Sequence, residues 1–253
     1  MPTCTVAMMQ IHVVPNALEV NLEHMRKSLA LVKDADIALF PECCDLGWTS
    51  SSATKLAQPI PNGSTVQFIQ KLAKESQICI VAGITEREKN KIFNTAVFIS
   101  NNGEYLGKYR KINLVKNVEQ MYTIGDRIKT YHTPMGKIGI NICADNLMSS
   151  VMIGESMAKM GAQIILSPSS WAVPPERLNS EYGEEWRKPF TYLSKKYDID
   201  IISVSNVGSI VDGAWKGWIC IGNSIAVGDR GNRVIALSHG GNAEEIQLFQ
   251  CEI

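Results

Sequence analysis

Short apolar runs alternate with longer amphipathic segments along most of the chain. Residues 18–32 place apolar side chains at positions 18, 22, 25, 29 and 32, which is the spacing of one helix face. Helices are also predicted over residues 148–160 and 181–197, and after Asn62-Gly63-Ser64, where an apolar face runs from Val66 to Ala73. The remaining apolar runs predict strands at residues 5–11, 37–40, 78–84, 92–100, 104–112, 138–142, 164–167, 201–206, 218–227, 234–237 and 246–253.

The order of these elements predicts the fold class. Strands outnumber helices, and consecutive strands occur both with and without a helix between them, which indicates mixed rather than purely parallel sheets. About ten strands and four or five helices fit an α/β fold with two packed sheets and helices on the outside. Because no linker, low-complexity stretch or internal repeat divides the chain, residues 1–253 are predicted to form one domain.

Composition narrows the class of protein. With 45% hydrophobic and 20% charged residues among 253, the chain is typical of a soluble globular protein with a sizeable core. A net charge of zero gives no reason to expect nucleic acid or an anionic membrane as a partner. No apolar run approaches the roughly 20 residues that span a bilayer. The first residues lack the basic and apolar parts of a signal peptide, so a cytoplasmic protein is expected.

The cysteine pattern argues against a framework of disulfide bonds or a structural zinc site. There are seven, an odd number at irregular spacing with no C-x-x-C motif, at positions 4, 43, 44, 79, 143, 220 and 251. A disulfide scaffold or a zinc site is therefore not predicted, and we expect neither a metal nor a cofactor. Most of these thiols are expected to be small buried hydrophobic groups.

Three residues are candidates for catalysis, namely Glu42, Lys111 and Cys143. Each of them directly follows a run that is predicted to be a strand. Active sites of α/β proteins gather at strand ends, where the sheet is rigid and the loops vary. A carboxylate, an ammonium and a thiol that converge there supply a base, an oxyanion stabiliser and a nucleophile. The set predicts acyl transfer through a thioester. Each residue alone also fits a structural role, as a strand cap, an edge lysine or a core cysteine.

The local contexts of Cys143 and Glu42 favour the chemical interpretation. Residues 144–146 lead toward the predicted helix, so their N–H groups are expected to face an oxyanion and to favour the thiolate. Glu42 lies in an unusually apolar segment, and burial raises the pKa of a carboxyl toward the range of a general base. The alternative is a Cys-His hydrolase of another fold, with His12 or His132 as the base.

The motifs around these residues resemble those of the nitrilase (carbon–nitrogen hydrolase) superfamily over essentially the whole chain. The three main motifs are Phe40-Pro41-Glu42, Tyr109-Arg110-Lys111-Ile112-Asn113-Leu114 and Gly139-Ile140-Asn141-Ile142-Cys143-Ala144-Asp145. Further matches are Val81-Ala82-Gly83, Phe93-Asn94-Thr95-Ala96, Gly161-Ala162-Gln163, Pro168-Ser169-Ser170-Trp171 and Asn206-Val207-Gly208. Three ordered catalytic motifs with these spacers are hard to obtain by chance.

The resemblance implies a four-layer α-β-β-α sandwich of two mixed sheets with outer helices, assembled as a homodimer or higher homo-oligomer. It also implies that Glu42, Lys111 and Cys143 form a catalytic triad, with Glu119 as a second active-site glutamate. Glu42 would then be the base for Cys143, and Lys111 would stabilise the oxyanion. Candidate residues for contacts to the oxyanion or the substrate are Ala144, Asn146 and Trp171.

The segment after Cys143 departs from the family pattern. The family continues with Tyr-Asp and, shortly afterwards, Phe-Pro-Glu, whereas this chain reads Ala144-Asp145-Asn146-Leu147-Met148. The helix after Trp186 also lacks the family's Arg-Ala-x-Glu-Asn run. These changes affect inference about the substrate more than inference about the chemistry, because all three triad positions are intact.

The expected substrate is a small linear amide or an N-carbamoyl compound. The chain stops at its closing strand, without the long tail that is typical of nitrile-cleaving relatives, so a nitrile is the less favoured substrate. Two alternatives stay open at this point. One is an acyltransferase or amide synthase of the same family, and the other is a catalytically silent binding homologue.

Overall fold

The computed structural model describes residues 3–253 and places most strands in two six-stranded sheets. The strands are β1 (Thr3–Gln10), β2 (Ile37–Leu39), β3 (Cys79–Glu88), β4 (Lys91–Ile99), β5 (Tyr105–Arg110), β6 (Thr130–Thr133), β7 (Gly136–Ile140), β8 (Ile164–Ser169), β9 (Ala172–Val173), β10 (Asp200–Ser205), β11 (Val207–Ser209), β12 (Ile219–Ile221), β13 (Ile225–Gly228), β14 (Arg233–Ala236) and β15 (Glu245–Glu252). The helices are α1 (Leu18–Leu29), α2 (Ala53–Leu56), α3 (Ser64–Ser76), α4 (Met152–Lys159) and α5 (Glu184–Tyr197). Short 3₁₀ helices cover Cys143–Asn146, Met148–Ser150, Pro175–Arg177 and Asp229–Gly231.

Both large sheets are mixed, as the sequence predicts. The first has the strand order β15-β1-β2-β3-β4-β5, in which β1, β2 and β3 run parallel and the other pairings are antiparallel. The second has the order β14-β13-β10-β8-β7-β6, in which β10, β8 and β7 run parallel. Strands β11, β12 and β9 form a small third sheet. Each large sheet therefore has parallel strands at its centre.

The two large sheets pack face to face with helices outside, which confirms the predicted four-layer α-β-β-α sandwich. Alternate residues of β1 show the layering, because side chains along a strand point to opposite faces. Val6 and Met8 belong to the core between the sheets, and the intervening Ala7 belongs to a second core with α1 and α3. On the far side, α4 and α5 cover the second sheet through buried side chains such as Met157 and Phe190. Within residues 3–253, no helix is long and apolar enough to cross a bilayer.

The chain after Cys143 differs from the prediction. Instead of one helix over residues 148–160, two 3₁₀ helices come first and α4 begins only at Met152. The Asp145 carboxylate accepts a hydrogen bond from the N–H of Ile142 (3.0 Å), which closes a tight turn before a regular helix can start. The strand predicted over residues 218–227 is also two strands, β12 and β13, because Gly222 turns the chain at a φ of +67°.

Short elements and element ends account for the other differences. The sequence analysis predicts none of α2, β6, β9 or β11, which have four residues or fewer and so show no periodicity. Helix α1 ends at Leu29, three residues before the predicted end. Helix α5 begins at Glu184, because Gly183 before it has a φ of 114°. Strand β1 already includes Thr3, two residues before the predicted start at residue 5. The first residues, Met1 to Val6, also look like part of a first strand in the sequence, and Met1 and Pro2 lie outside the described residues.

Candidate active site

Glu42 lies just beyond the carboxyl end of β2, where the two sheets meet. Its N–H donates to the carbonyl of Ser169 (3.2 Å), and the hydroxyl of Ser170 donates to the Glu42 carbonyl (3.2 Å). Both contacts come from the end of β8, so the second sheet fixes the turn that carries Glu42. Gly83 in β3 lies directly beside this turn, and a Cβ there would come within 2.5 Å of the Glu42 Cα. Glycine permits the approach that buries Glu42 completely.

Lys111 follows β5 and is also fully buried. Its N–H donates to the carbonyl of Asn94 (2.9 Å), and its carbonyl accepts from the N–H of Gly125 (2.8 Å). Its Nζ donates to Oε1 of Glu42 (2.7 Å) and lies 2.9 Å from Oε2 of Glu119. Burial alone would lower the pKa of Lys111, but Glu119 and Glu42 raise it well above the usual value. An ammonium has three N–H donors, so it can serve both carboxylates and still offer one to a substrate.

Glu119 meets the same ammonium from the loop after Lys111, and both of its oxygens are occupied. Oε1 accepts from the indole Nε1 of Trp48 (2.8 Å) and from Nδ2 of Asn94 (3.0 Å). Oε2 accepts from the N–H of Val115 (2.7 Å). A carboxylate held by this many donors has a fixed position, so Glu119 orients Lys111 and the surrounding side chains.

The two oxygens of Glu42 are in different situations. Oε1 accepts from Lys111 and from Nδ2 of Asn94 (2.6 Å). Oε2, here called the free oxygen, is buried and has no hydrogen-bond partner among residues 3–253. Burial raises the pKa of Glu42 to about 7, with Lys111 acting against this shift and Glu119 reinforcing it. A carboxyl group with this pKa accepts and returns a proton readily at neutral pH.

Cys143 opens the 3₁₀ turn after β7, with a φ of 46° in the left-handed region that cysteine rarely adopts. Its Sγ lies 3.9 Å from the carbonyl of Ser170, the residue whose hydroxyl bonds to Glu42. Burial raises the pKa of Cys143 far above that of a free thiol, and Glu42 adds to the shift while Lys111 opposes it. The expectation that a helix start favours the thiolate is therefore wrong, because a four-residue 3₁₀ turn does not offset this burial. The resting group is a thiol that needs a base.

Asp145 connects the cysteine turn to the lysine strand. Its carboxylate accepts from the N–H of Ile142 (3.0 Å), the N–H of Asn113 (2.8 Å) and the hydroxyl of Tyr109 (2.8 Å). Ile142 directly precedes Cys143, and Tyr109 and Asn113 lie two residues before and two residues after Lys111. Asp145 thus fixes the separation of the thiol and the ammonium, although it lies away from the hydrogen bonds of Glu42.

The structure separates the three candidates for substrate or oxyanion contacts. Ala144 directly follows Cys143 and keeps 8% of its surface exposed, so its N–H stays a candidate oxyanion donor. Asn146 is turned into the protein, where it exchanges hydrogen bonds with Asn141 (2.6 and 3.0 Å) and donates to Ser167 (2.7 Å). Its amide supports the cysteine turn and has no donor left for a substrate. Trp171 follows Ser170, is partly exposed and packs edge-to-face on Trp186.

The histidines of the Cys-His alternative lie elsewhere. His132 pairs with Lys137 across β6 and β7, at the opposite end of β7 from Cys143. The six residue-to-residue steps from Lys137 to Cys143 correspond to roughly 20 Å of extended chain. The ring of His12 packs beside Gly208, at the small third sheet. Cys143 is therefore linked to the Glu42 carboxylate through Ser170, which contacts both residues. The imidazole of His132 is at the far end of β7.

Asn94 and Trp48 are site residues that the sequence did not predict. Asn94 was quoted only as part of a matching motif, yet its amide touches both carboxylates. A signal was present, since Asn94 is a polar residue within an otherwise apolar strand and such a residue needs buried partners. Trp48 shows no comparable signal, because a tryptophan after an apolar run is equally typical of a core.

Comparisons with known proteins agree with this fold. A family model described as carbon-nitrogen hydrolase matches residues 5–242. A nitrilase of Pyrococcus abyssi is 29% identical over 63% of this chain, and the matched stretch spans 63% of that protein. The omega-amidase NIT2 of Mus musculus is 28% identical over 68% of this chain, and the match spans 65% of that protein.

Solved structures share the fold over nearly the whole chain. The crystal structure of a carbon-nitrogen hydrolase from Helicobacter pylori G27 has a TM-score of 0.80 at 23% identity, covering 99% of this chain and 89% of that one. A double mutant of the amidase from Nesterenkonia sp. AN1, in complex with acrylamide, has a TM-score of 0.80 at 17% identity, covering 98% and 90%. At these identities the likeness concerns the fold alone.

Proposed function

This chain belongs to the carbon–nitrogen hydrolase family, and we propose that it hydrolyses the C–N bond of a small linear amide or N-carbamoyl compound through a thioester on Cys143. The single observation that carries the proposal is the state of Glu42. It is buried, is held through one oxygen by Lys111, and has no partner for its free oxygen among residues 3–253, in a site that also holds the thiol. Such a carboxylate has the properties of a general base.

The first half of the reaction forms the thioester. Cys143 gives its proton to Glu42 as the sulfur attacks the carbonyl carbon, and the carbonyl oxygen becomes an oxyanion. Lys111 and the N–H of Ala144 donate hydrogen bonds to that oxyanion. When the tetrahedral intermediate collapses, the C–N bond breaks and Glu42 returns the proton to the departing nitrogen. The products of this half are the acyl-thioester and ammonia or an amine.

The second half consumes water. Glu42 is ionised again and takes a proton from a water molecule, which attacks the thioester carbon. The same two donors stabilise the second oxyanion, the C–S bond breaks, and the sulfur recovers the proton from Glu42. The sum of the two halves is amide plus water giving carboxylic acid plus amine, and Glu42 ends in its starting state. Glu119 takes no proton in this scheme and holds Lys111 in place.

The activities of the relatives support an amide substrate and leave its identity open. One relative is an omega-amidase, another structure is an amidase that holds acrylamide, and a third relative is a nitrilase. The atypical residues 144–148 lie beside the nucleophile, so the acyl group accepted by this chain need not match that of any one relative. An amide synthase differs only in the acceptor that attacks the thioester.

Ammonia release from a panel of ω-amides, N-carbamoyl amino acids and short nitriles tests the proposal, with wild type measured beside Cys143→Ala. The expected result is that wild type releases ammonia and Cys143→Ala does not. The compound that is cleaved then identifies the substrate class. No release, together with an acyl mass trapped on Cys143, would instead show an acyltransferase that needs another acceptor. No release and no trapped acyl group would contradict the proposal and favour a catalytically silent homologue.

A further inference from the structure

Asn94, in β4, contacts both carboxylates of the site and the main chain of Lys111. Its Nδ2 donates to Oε1 of Glu42 (2.6 Å) and to Oε1 of Glu119 (3.0 Å). Its main-chain carbonyl accepts from the N–H of Lys111 (2.9 Å). Because Asn94 is fully buried in the middle of a sheet, it holds these groups from a rigid element. One residue therefore connects the two carboxylates and fixes the main chain that carries the ammonium.

The orientation of the Asn94 amide is set by the carboxylates. Its Oδ1 is buried and has no partner within the described part of the chain, residues 3–253. An unpaired buried acceptor is unfavourable, so a side chain with a purely structural role would be expected to satisfy both ends. Rotating the amide by half a turn would point Oδ1 at two carboxylate oxygens, which is worse. The strand thus carries an unsatisfied group in order to present its donor to the site.

We propose that Asn94 is a positioning residue that gathers the hydrogen bonds of Glu42 onto one oxygen and thereby reserves the free oxygen for the proton of Cys143. This inference rests on the proposed function, since it needs Glu42 to act as the base. Without the Asn94 donor, Lys111 alone restrains the carboxylate, and either oxygen can turn toward the ammonium. The proton acceptor then faces Cys143 for a smaller fraction of the time.

The same donor also favours the ionised form of Glu42. A hydrogen bond to a carboxylate lowers its pKa, and the Asn94 bond acts in that direction here. Removing it should move the titration of Glu42 to higher pH, by roughly one pH unit for one charge-assisted hydrogen bond. The other titratable groups that act on Glu42 or are acted on by it are Lys111, Glu119, Cys143, Cys43 and Cys220.

The test measures the rate at which iodoacetamide alkylates Cys143 between pH 5 and 9 in Asn94→Leu, by peptide mass spectrometry. In this reaction an S–C bond forms, the C–I bond breaks, iodide leaves and the thiol proton passes to Glu42, so no substrate has to be known. The expected result is that the ascending limb of the rate–pH curve lies about one pH unit above that of wild type. The rate at pH 7 should be about fivefold lower, because the ionised fraction of Glu42 falls from about one half to about one tenth. A circular dichroism melt establishes that the variant is folded.

Thr95→Val is the matched control. Thr95 is the next residue of β4, and its hydroxyl donates to Oε2 of the other buried carboxylate of this sheet, Glu86 (2.8 Å). The Thr95→Val substitution is nearly isosteric, and it removes one donor from Glu86, a carboxylate that takes no part in the proposed reaction. Its alkylation limb should coincide with that of wild type. If Asn94→Leu fails to fold, Asn94→Ser serves instead, because it keeps a shorter donor and should shift the limb in the same direction by less.

The outcomes separate the two proposals. A folded Asn94 variant whose limb coincides with that of wild type would show that Asn94 only packs the strand, and would overturn this inference while leaving the proposed function intact. A limb that moves equally in the Thr95 control would also overturn it. Failure of wild-type Cys143 to react at any pH would instead contradict the proposed function itself.

Discussion

Glu42 and Glu86 are two buried carboxylates at the first sheet, Glu42 in the turn after β2 and Glu86 within β3. Each is paired with a cation from the end of β5. Lys111 bonds to Glu42, and the preceding residue, Arg110, bonds to Glu86 through two nitrogens. The difference lies in the other oxygens. Both oxygens of Glu86 have partners, because Lys108 contacts Oε1 and Thr95 donates to Oε2 (2.8 Å). Glu42 keeps its free oxygen without one in the described chain.

Their pKa values move in opposite directions for this reason. Burial alone would raise the pKa of Glu86, but the hydrogen bonds from Arg110, Lys108 and Thr95 lower it below its ordinary value. Burial dominates at Glu42 and raises its pKa to about 7. The comparison teaches that a fully satisfied buried carboxylate stays ionised and holds the fold. A carboxylate that is left partly unsatisfied exchanges protons and can do chemistry.

The largest expected effect comes from Glu42→Gln. The change keeps the shape of the side chain and removes the base, so kcat should fall on the order of 10³- to 10⁴-fold. Steady-state ammonia release measures it, on the substrate found with the amide panel. Glu86→Gln is the control, since it neutralises the other buried carboxylate, and its kcat should remain within a few-fold of wild type. Equal losses in the two variants would contradict the comparison.

Lys111→Met should lower kcat by about 10²- to 10³-fold, because it removes an oxyanion donor and leaves two carboxylates facing each other. KM should change less, since the donor acts mainly on the transition state. Lys108→Met, which removes a cation from Glu86, is the matched variant and should leave kcat nearly unchanged. A Lys111 variant with normal kcat would remove the lysine from the proposed mechanism.

Glu86→Gln should act on stability. Removing this carboxylate leaves Lys108 and Arg110 without their shared partner, and the free energy of unfolding should fall by about 1–3 kcal/mol. The value is below that of a fully buried pair because 25% of the Lys108 side chain is exposed to solvent. Urea unfolding followed by circular dichroism measures it. A variant as stable as wild type would show that the Glu86 cluster does not hold the sheet edge.

The smallest expected effects are opposite slopes of stability against pH. The pKa of Glu86 is lowered by folding, so its contribution is present above the ordinary value of 4.5 and is lost as pH falls below it. The pKa of Glu42 is raised, so its contribution is present below 4.5 and is lost as pH rises to about 7. Urea unfolding measures the free energy of unfolding at each pH. Its fall below pH 4.5 should be smaller in Glu86→Gln than in wild type, and its fall between pH 4.5 and 7 should be smaller in Glu42→Gln. Unchanged slopes would contradict the assigned pKa directions.

Much of the fold could be predicted from the sequence, because long periodic segments report burial directly. The amphipathic spacing of α1 and the apolar runs of β3 and β4 identified elements that the structure confirms. The two-residue β9 could not be predicted, since it exists only through pairing with β12. The 3₁₀ turn at Cys143 was missed because it is shaped by a hydrogen bond that the Asp145 carboxylate accepts from the N–H of Ile142.

The candidate site could be predicted in part. Glu42, Lys111 and Glu119 were named from motifs, and the structure places their side chains in direct contact. The bonds of Asn94 and the inward turn of Asn146 depend on partners from distant segments, which no local pattern specifies. The catalytic roles, the single domain and the homo-oligomer stay predictions. Size-exclusion chromatography with light scattering tests the last of these.

The most direct test of the central claim measures how Cys143 alkylation by acrylamide depends on pH in wild type, Glu42→Gln and Glu86→Gln. The account predicts that wild type and Glu86→Gln share an ascending limb near pH 7, because Glu42 must be ionised to take the thiol proton. It predicts that Glu42→Gln loses this limb and reacts only slowly at alkaline pH. A Glu42→Gln variant that retains the limb would contradict the claim that the free oxygen of Glu42 activates Cys143.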